Sequence, residues 1–167
     1  EGEKVLIVGP SGSGKSTMGH CLNGLIPFSY HGKVEGSLKI CGKETQEMNI
    51  FELSKRVGTV LQDADGQFIG LTVGEDIAFA LENDLVKQDE MKETVQKVAD
   101  MVDMGQLLKS SPFELSGGQK QRVAFAGVLV DDVDILLFDE PLANLDPATG
   151  KTAIDLIDKV WREYRKT

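Results

Sequence analysis

Gly9-Pro10-Ser11-Gly12-Ser13-Gly14-Lys15-Ser16-Thr17 lies between an apolar run, Val5-Leu6-Ile7-Val8, and the segment Met18 to Ile26. A buried strand, a glycine-rich loop and a helix in this order make the setting of a phosphate-binding loop. Each residue type has a physical task. The glycines open backbone conformations that are closed to other residues and let the chain approach phosphate oxygens closely, while successive N–H groups converge on the anion. The helix that follows adds the positive end of its dipole. Lys15 would bring its ammonium to the terminal phosphates, and the Ser16 hydroxyl would ligate Mg2+.

The chain has 167 residues, enough for one domain with a sizeable core. With 27% charged and 41% hydrophobic residues it has ordinary globular composition, which excludes disorder. A net charge of −9 argues against a nucleic-acid surface, because phosphate backbones require compensating Lys and Arg. Cys21 and Cys41 stand at no metal-ligand or redox spacing, and their apolar neighbours suggest two small buried thiols in a reducing compartment. No run approaches the roughly 20 apolar residues needed to span a bilayer, so membrane association would come through a partner. Glu1 stands close before the first strand and the last helix runs polar into Thr167, so the chain is expected to be a piece of a longer polypeptide.

Lys4 to Val8 is expected to be a central strand, since its continuous apolar character suits a parallel sheet covered on both faces. The helix from Lys15 should reach about Leu25, where Pro27 stops it. Gly32 to Lys43 alternates polar and apolar residues between glycines and reads as a hairpin or short edge strand of a small antiparallel subdomain. His31 reads as a solvated loop residue. A short helical turn, Phe51 to Arg56, leads to the strand Val57 to Leu61, and Gln62 stands at its carboxyl end, where function concentrates.

Thr72 caps a helix from Val73 to Glu82, with Glu75 in the capping-box position. A second helix, about Asp89 to Met104, places Met91, Val95, Val98 and Val102 on one core-facing stripe. Leu115-Ser116-Gly117-Gly118-Gln119-Lys120-Gln121-Arg122 then opens a helix apolar through Val130, a second helix start fit to bind an anion. Ser116 by itself is also an ordinary cap. Val133 to Phe138 is a buried strand ending in Asp139-Glu140-Pro141. Acids at this strand tip suit a metal site: one holds Mg2+ through water and the other takes a proton from an attacking water. Thr149 to about Arg165 is an amphipathic helix with Ile154, Ile157 and Trp161 expected inward. The fold class is therefore α/β, a mainly parallel sheet flanked by helices with a small antiparallel part.

Taken in order, Gly9 to Thr17, Gln62, Leu115 to Arg122, Asp134 to Pro141 and Leu145-Asp146-Pro147 resemble the nucleotide-binding domain of ATP-binding cassette proteins over essentially the whole chain. Within that family, Asn23-Gly24-Leu25-Ile26-Pro27 and the loop from Gln62 to Phe68 are similar to the ATPase subunits of energy-coupling factor and cobalt-type importers, which take up vitamins and metal ions. The resemblance implies a P-loop ATPase with a helical subdomain inserted over residues 72–107, ATP and Mg2+ as ligands, and a peripheral position on the cytoplasmic face of a bacterial membrane. Gly9, Pro10, Ser11, Gly12, Ser13, Gly14, Lys15, Ser16 and Thr17 would hold the nucleotide. Ser16, Gln62 and Asp139 would surround Mg2+. Glu140, with Gln62 beside it, would act on the attacking water, and Asp146 would report across a dimer interface. Leu115, Ser116, Gly117, Gly118 and Gln119 would bind the γ-phosphate of ATP held by the opposite subunit, which gives two anion-binding helix ends two different ATP molecules in a head-to-tail homo- or heterodimer.

The resemblance further implies a transmembrane partner in a groove formed by the helical segment and the loop after Gln62. A soluble cassette ATPase acting in DNA repair or translation is the competing reading, disfavoured by the acidic charge. The family's adenine-stacking aromatic residue and its γ-phosphate histidine have no counterpart here, since His20 and His31 do not match that histidine. The isolated 167 residues are thus expected to hydrolyse ATP weakly or not at all.

Overall fold

A computed structural model describes residues 2–61, 65–143 and 145–167. Gln62 lies outside the described residues. The elements run α1 (Lys15–Leu22), α2 (Leu25–Phe28), β1 (Lys39–Ile40), β2 (Lys43–Glu44), α3 (Ile50–Ser54), β3 (Val57–Val60), α4 (Val73–Asn83), α5 (Gln88–Met101), α6 (Gly117–Leu129), β4 (Ile135–Phe138) and α7 (Pro147–Tyr164). Strands β3 and β4 pair in parallel, Val57 opposite Ile135 and Val60 opposite Phe138. β1 and β2 form the expected antiparallel hairpin around Cys41-Gly42.

Local chemistry sets the helix starts. Thr72 Oγ1 accepts from Glu75 N and Glu75 Oε2 accepts from Thr72 N, closing the capping box of α4. Ser116 and Gln119 close a second box at α6, and Asn49 and Glu52 a third at α3. Asp146 caps α7, its Oδ1 accepting from Ala148 N and Thr149 N. The main core gathers Val73, Ile77 and Leu81 of α4, Val95, Val98 and Ala99 of α5, and Val123 to Ala126 of α6. Val60 of β3 and Val160 of α7 join it from the other side. Each fully buried Val or Ile here contributes about 1.5–3 kcal/mol of transfer free energy. A smaller cluster of Ile40, Met48, Leu53 and Val57 seals the hairpin onto α3 and β3. Gly58 lets α6 approach β3, because a Cβ there would lie 2.2 Å from Val128 Cγ1.

Four expectations are corrected. Lys4 to Val8 is not a strand: Val5, Leu6, Ile7 and Val8 are 67%, 85%, 44% and 79% exposed. One edge of β4 is used by β3. On the other, Leu136 N donates to Thr167 O and Thr167 N to Asp134 O, so Thr167 holds a place a neighbouring strand would take. Apolar content favours burial, but a run becomes a strand only where its peptide groups find a ladder partner. Second, α1 ends at Leu22, since Gly24 adopts φ +80 and turns the chain before Pro27. Third, Ile154 is 52% exposed; of the residues expected inward on α7, Ile157 packs on the core and Trp161 is half-buried, and Leu156 and Val160 complete the stripe in place of Ile154. Fourth, Cys41 is exposed in the hairpin turn at φ +50, and its thiol donates to Asp134 Oδ2.

Candidate nucleotide site

The glycine-rich loop is shaped by two backbone positions. Gly12 and Gly14 have φ +80 and +93, a region costly for other residues, and a Cβ at either would meet nothing within 4 Å. Both therefore serve conformation rather than packing. Ser13 N donates to Pro10 O and closes the turn. Lys15 Nζ donates to Gly9 O at 3.1 Å and Pro10 O at 3.2 Å, so the loop's own carbonyls hold the ammonium. Gly14 caps α1 without a side-chain bond, which leaves the first N–H groups of the helix directed at the loop. Gly19 sets α1 close on β4, for its missing Cβ would stand 3.3 Å from Leu137 Cδ2.

That approach brings the two halves of the expected metal site together. Ser16 Oγ donates to Asp139 Oδ1 at 3.2 Å, while Asp139 N donates to Val60 O and extends the β3–β4 ladder to the acid. A hydroxyl and a carboxylate are the hard oxygen donors that Mg2+ takes while keeping several waters, so this pair fits the ion. Among the described residues no group of three or more His, Cys, Asp or Glu side chains is gathered for a metal. Glu140 follows at φ +49 and is exposed, and its carbonyl accepts from Ala143 N in a tight turn. The left-handed conformation redirects the chain immediately after the strand and sets the Glu140 side chain apart from the ladder.

Ser116, Gly117 and Gly118 open α6 at a distinct place. Among the described residues no hydrogen bond or ion pair joins Leu115–Gln119 to Gly9–Thr17. The Ser116 hydroxyl accepts from Gln119 N, and the Gln119 carboxamide accepts from Ser116 N, so both side chains are engaged as a cap while Gly117 stands in open space. Asp146 is similarly engaged: the Thr149 hydroxyl donates to its Oδ2 at 2.5 Å, and this bond holds its carboxyl below the usual aspartate range.

Gln67 escaped the sequence reading. Its Oε1 accepts from Leu61 N at 3.0 Å and its Nε2 donates to Thr59 O at 3.2 Å, on the edge of β3 that β4 does not use. The carboxamide thus stands in for a neighbouring strand's peptide and pins the chain at Gln67 to β3. Asp76 anchors the chain further on, its Oδ1 accepting from Ile69 N and Gly70 N. A Gln in a polar loop carries no signal of such a contact.

The family model described as ABC transporter matches residues 1–143. The chain belongs to that family. Its ATP-binding domains hydrolyse ATP, and the α/β fold described above is theirs. A Clostridium perfringens protein with the provisional name ABC transporter ATP-binding protein is 66% identical over 167 residues, all of this chain and 29% of the relative. A Photobacterium profundum protein of the same provisional name is 65% identical over 167 residues, 30% of its length. The chain thus spans under a third of these relatives. Among solved structures, CbiO1 of Clostridium perfringens, described as part of the ABC transporter complex CbiONQ, superposes with a TM-score of 0.85 at 31% identity, covering 95% of this chain and 62% of that one.

Proposed function

We propose that this chain is the nucleotide-binding core of an ATPase that drives an ABC importer, coupling ATP hydrolysis to uptake of a vitamin or metal ion through a membrane partner. The observation that carries the reading is the Ser16–Asp139 pair next to Lys15: a phosphate loop, a cation and two oxygens fit for a metal at the carboxyl end of β4. In this reading Gly9 to Thr17 hold the triphosphate, with Lys15 leaving the Gly9 and Pro10 carbonyls for the terminal phosphates. Ser16, Asp139 and Gln62 hold Mg2+, which when bound neutralises charge on the phosphate oxygens. Glu140 accepts the proton of the attacking water.

The separation of Leu115–Gln119 from the phosphate loop supports a site completed from a second ATPase domain, head to tail, with Asp146 at the interface. The relatives are more than three times as long as this chain, and CbiO1 is less than twice as long. One polypeptide of that length has room for both domains. The segment 72–107, in which α4 and α5 pack on α6, is read as the inserted helical subdomain. Together with the loop that Gln67 and Asp76 fasten, it forms the seat of the transmembrane partner. No helix among the described residues is long and apolar enough to cross a membrane; a peripheral position on the cytoplasmic face is read from the family resemblance. The likeness to CbiO1 and the acidic charge favour an importer over a nucleic-acid-associated ATPase.

The test is purification of the full-length protein from membranes. Co-purification with a membrane subunit and Mg2+-dependent ATP turnover that the Lys15→Ala change abolishes are expected. Association with ribosomes or DNA, or turnover unaffected by that change, would overturn the reading.

A further inference from the structure

The two glycines of Leu115-Ser116-Gly117-Gly118-Gln119 have different surroundings. A Cβ at Gly117 would meet nothing within 4 Å, whereas one at Gly118 would lie 2.5 Å from Thr149 Cγ2. Carbon atoms in contact prefer about 3.5–4.0 Å, so a side chain at 118 and the Thr149 methyl exclude each other. Neither glycine has a positive φ, so backbone conformation does not demand glycine at 118. The other branch of Thr149 is equally committed, its hydroxyl donating to Asp146 Oδ2 and its amide to Asp146 Oδ1. Gly118 and Thr149 also line one small cavity with Gln121, Arg122 and Pro141, the last directly after Glu140.

We propose that Thr149 is a positioning residue for ATP turnover. Its methyl sets how closely the start of α6 stands to α7, and its hydroxyl fixes the Asp146 carboxylate. The Ser116–Gly118 amides and Asp146 are thereby presented to the opposite ATPase domain as one rigid unit. Glycine is required at 118 by the Thr149 methyl. This rests on the reading of the site as half of a composite ATP site.

The decisive experiment is a double-mutant cycle in the full-length protein, with kcat and KM for ATP and the thermal midpoint measured for each variant. Gly118→Ala is expected to lower kcat by about tenfold with KM little changed, because the loop that holds ATP is untouched. Thr149→Ser removes the methyl and keeps the hydroxyl. The double variant is therefore expected to return to within about threefold of Thr149→Ser alone in kcat, with its thermal midpoint restored. A double variant as slow as Gly118→Ala overturns the proposal, since a phosphate-approach role predicts no rescue. Thr149→Val keeps the methyl and loses the hydroxyl; a lowered kcat at constant KM is expected, and wild-type kcat overturns the role of the Asp146 bond. Should the unmutated protein show no Mg2+-dependent turnover, the composite-site reading fails. The thermal midpoints then decide the contact itself: a loss in Gly118→Ala recovered in the double variant supports it, and no loss overturns it.

Discussion

The Ser16 hydroxyl donates to Asp139 Oδ1 across 3.2 Å, joining residues 123 positions apart. One lies at the start of α1 and the other at the tip of β4. Replacing Asp139 by Asn keeps the shape and removes the charge that would face Mg2+. Turnover of the full-length protein is expected to fall roughly 100- to 1,000-fold, the usual loss when one preorganised electrostatic group is removed. Titration with Mg2+ should show a raised half-saturation point. An unchanged Mg2+ dependence would exclude Asp139 from the metal site.

Glu140 adopts φ +49 in the turn that follows β4, and its side chain is exposed. Glu140→Gln retains that turn and cannot accept a proton. Steady turnover should drop by roughly 100- to 10,000-fold, the range of general-base contributions, with nucleotide affinity retained. Equilibrium binding of a fluorescent ATP analogue measured beside turnover separates the two effects; undiminished hydrolysis would remove Glu140 from its role.

Gly70 packs against the start of α4, where a Cβ would lie 2.3 Å from Asp76 N. Backbone cannot move aside as a flexible side chain can. Gly70→Ala is expected to destabilise the domain by about 1–3 kcal/mol through overpacking, read as a lower midpoint in urea denaturation.

Ile77 is 0% exposed at the meeting of α4 with α6, whereas Ile154 is 52% exposed on α7. Ile77→Ala should cost about 2–5 kcal/mol, and Ile154→Ala should stay within about 0.5 kcal/mol of wild type. Thermal unfolding of the pair tests the assigned face of α7 directly, because the expectation from periodicity alone would make both changes costly.

Arg56 donates to Asp134 Oδ2 at 2.8 Å and holds that carboxyl below the usual aspartate range. A lowered folded-state value means the contribution is fully present above the ordinary aspartate range and is lost as pH falls through the lowered one. Arg56→Gln should therefore move the midpoint of acid unfolding to higher pH by a small amount, since both side chains are about half exposed, with no change in stability difference between pH 6 and pH 8. Circular dichroism across an acid titration reads it.

Much of the site can be read in the residues because its signals are local. Thr72 with Glu75 announces a helix start through side chains three residues apart, and Ser116 announces another as a cap; the structure closes a box at both, with Gln119 completing the second. Val57 to Val60 and Ile135 to Phe138 announce strands by β-branched and apolar content. Gln67 gives no such signal, because an amide becomes a strand surrogate only when a free strand edge is placed beside it.

The sequence by itself determined that a phosphate loop, a capped helix start and an acid-tipped strand occur in this order, since backbone preference and apolar patterning act over a few residues. The meeting of Ser16 with Asp139 follows the family resemblance, but only the packed fold places Thr149 between Gly118 and Asp146 and leaves Val5 to Val8 exposed while Thr167 bonds β4. Those outcomes depend on which edges and surfaces remain open once distant segments have packed, and no local pattern encodes that competition.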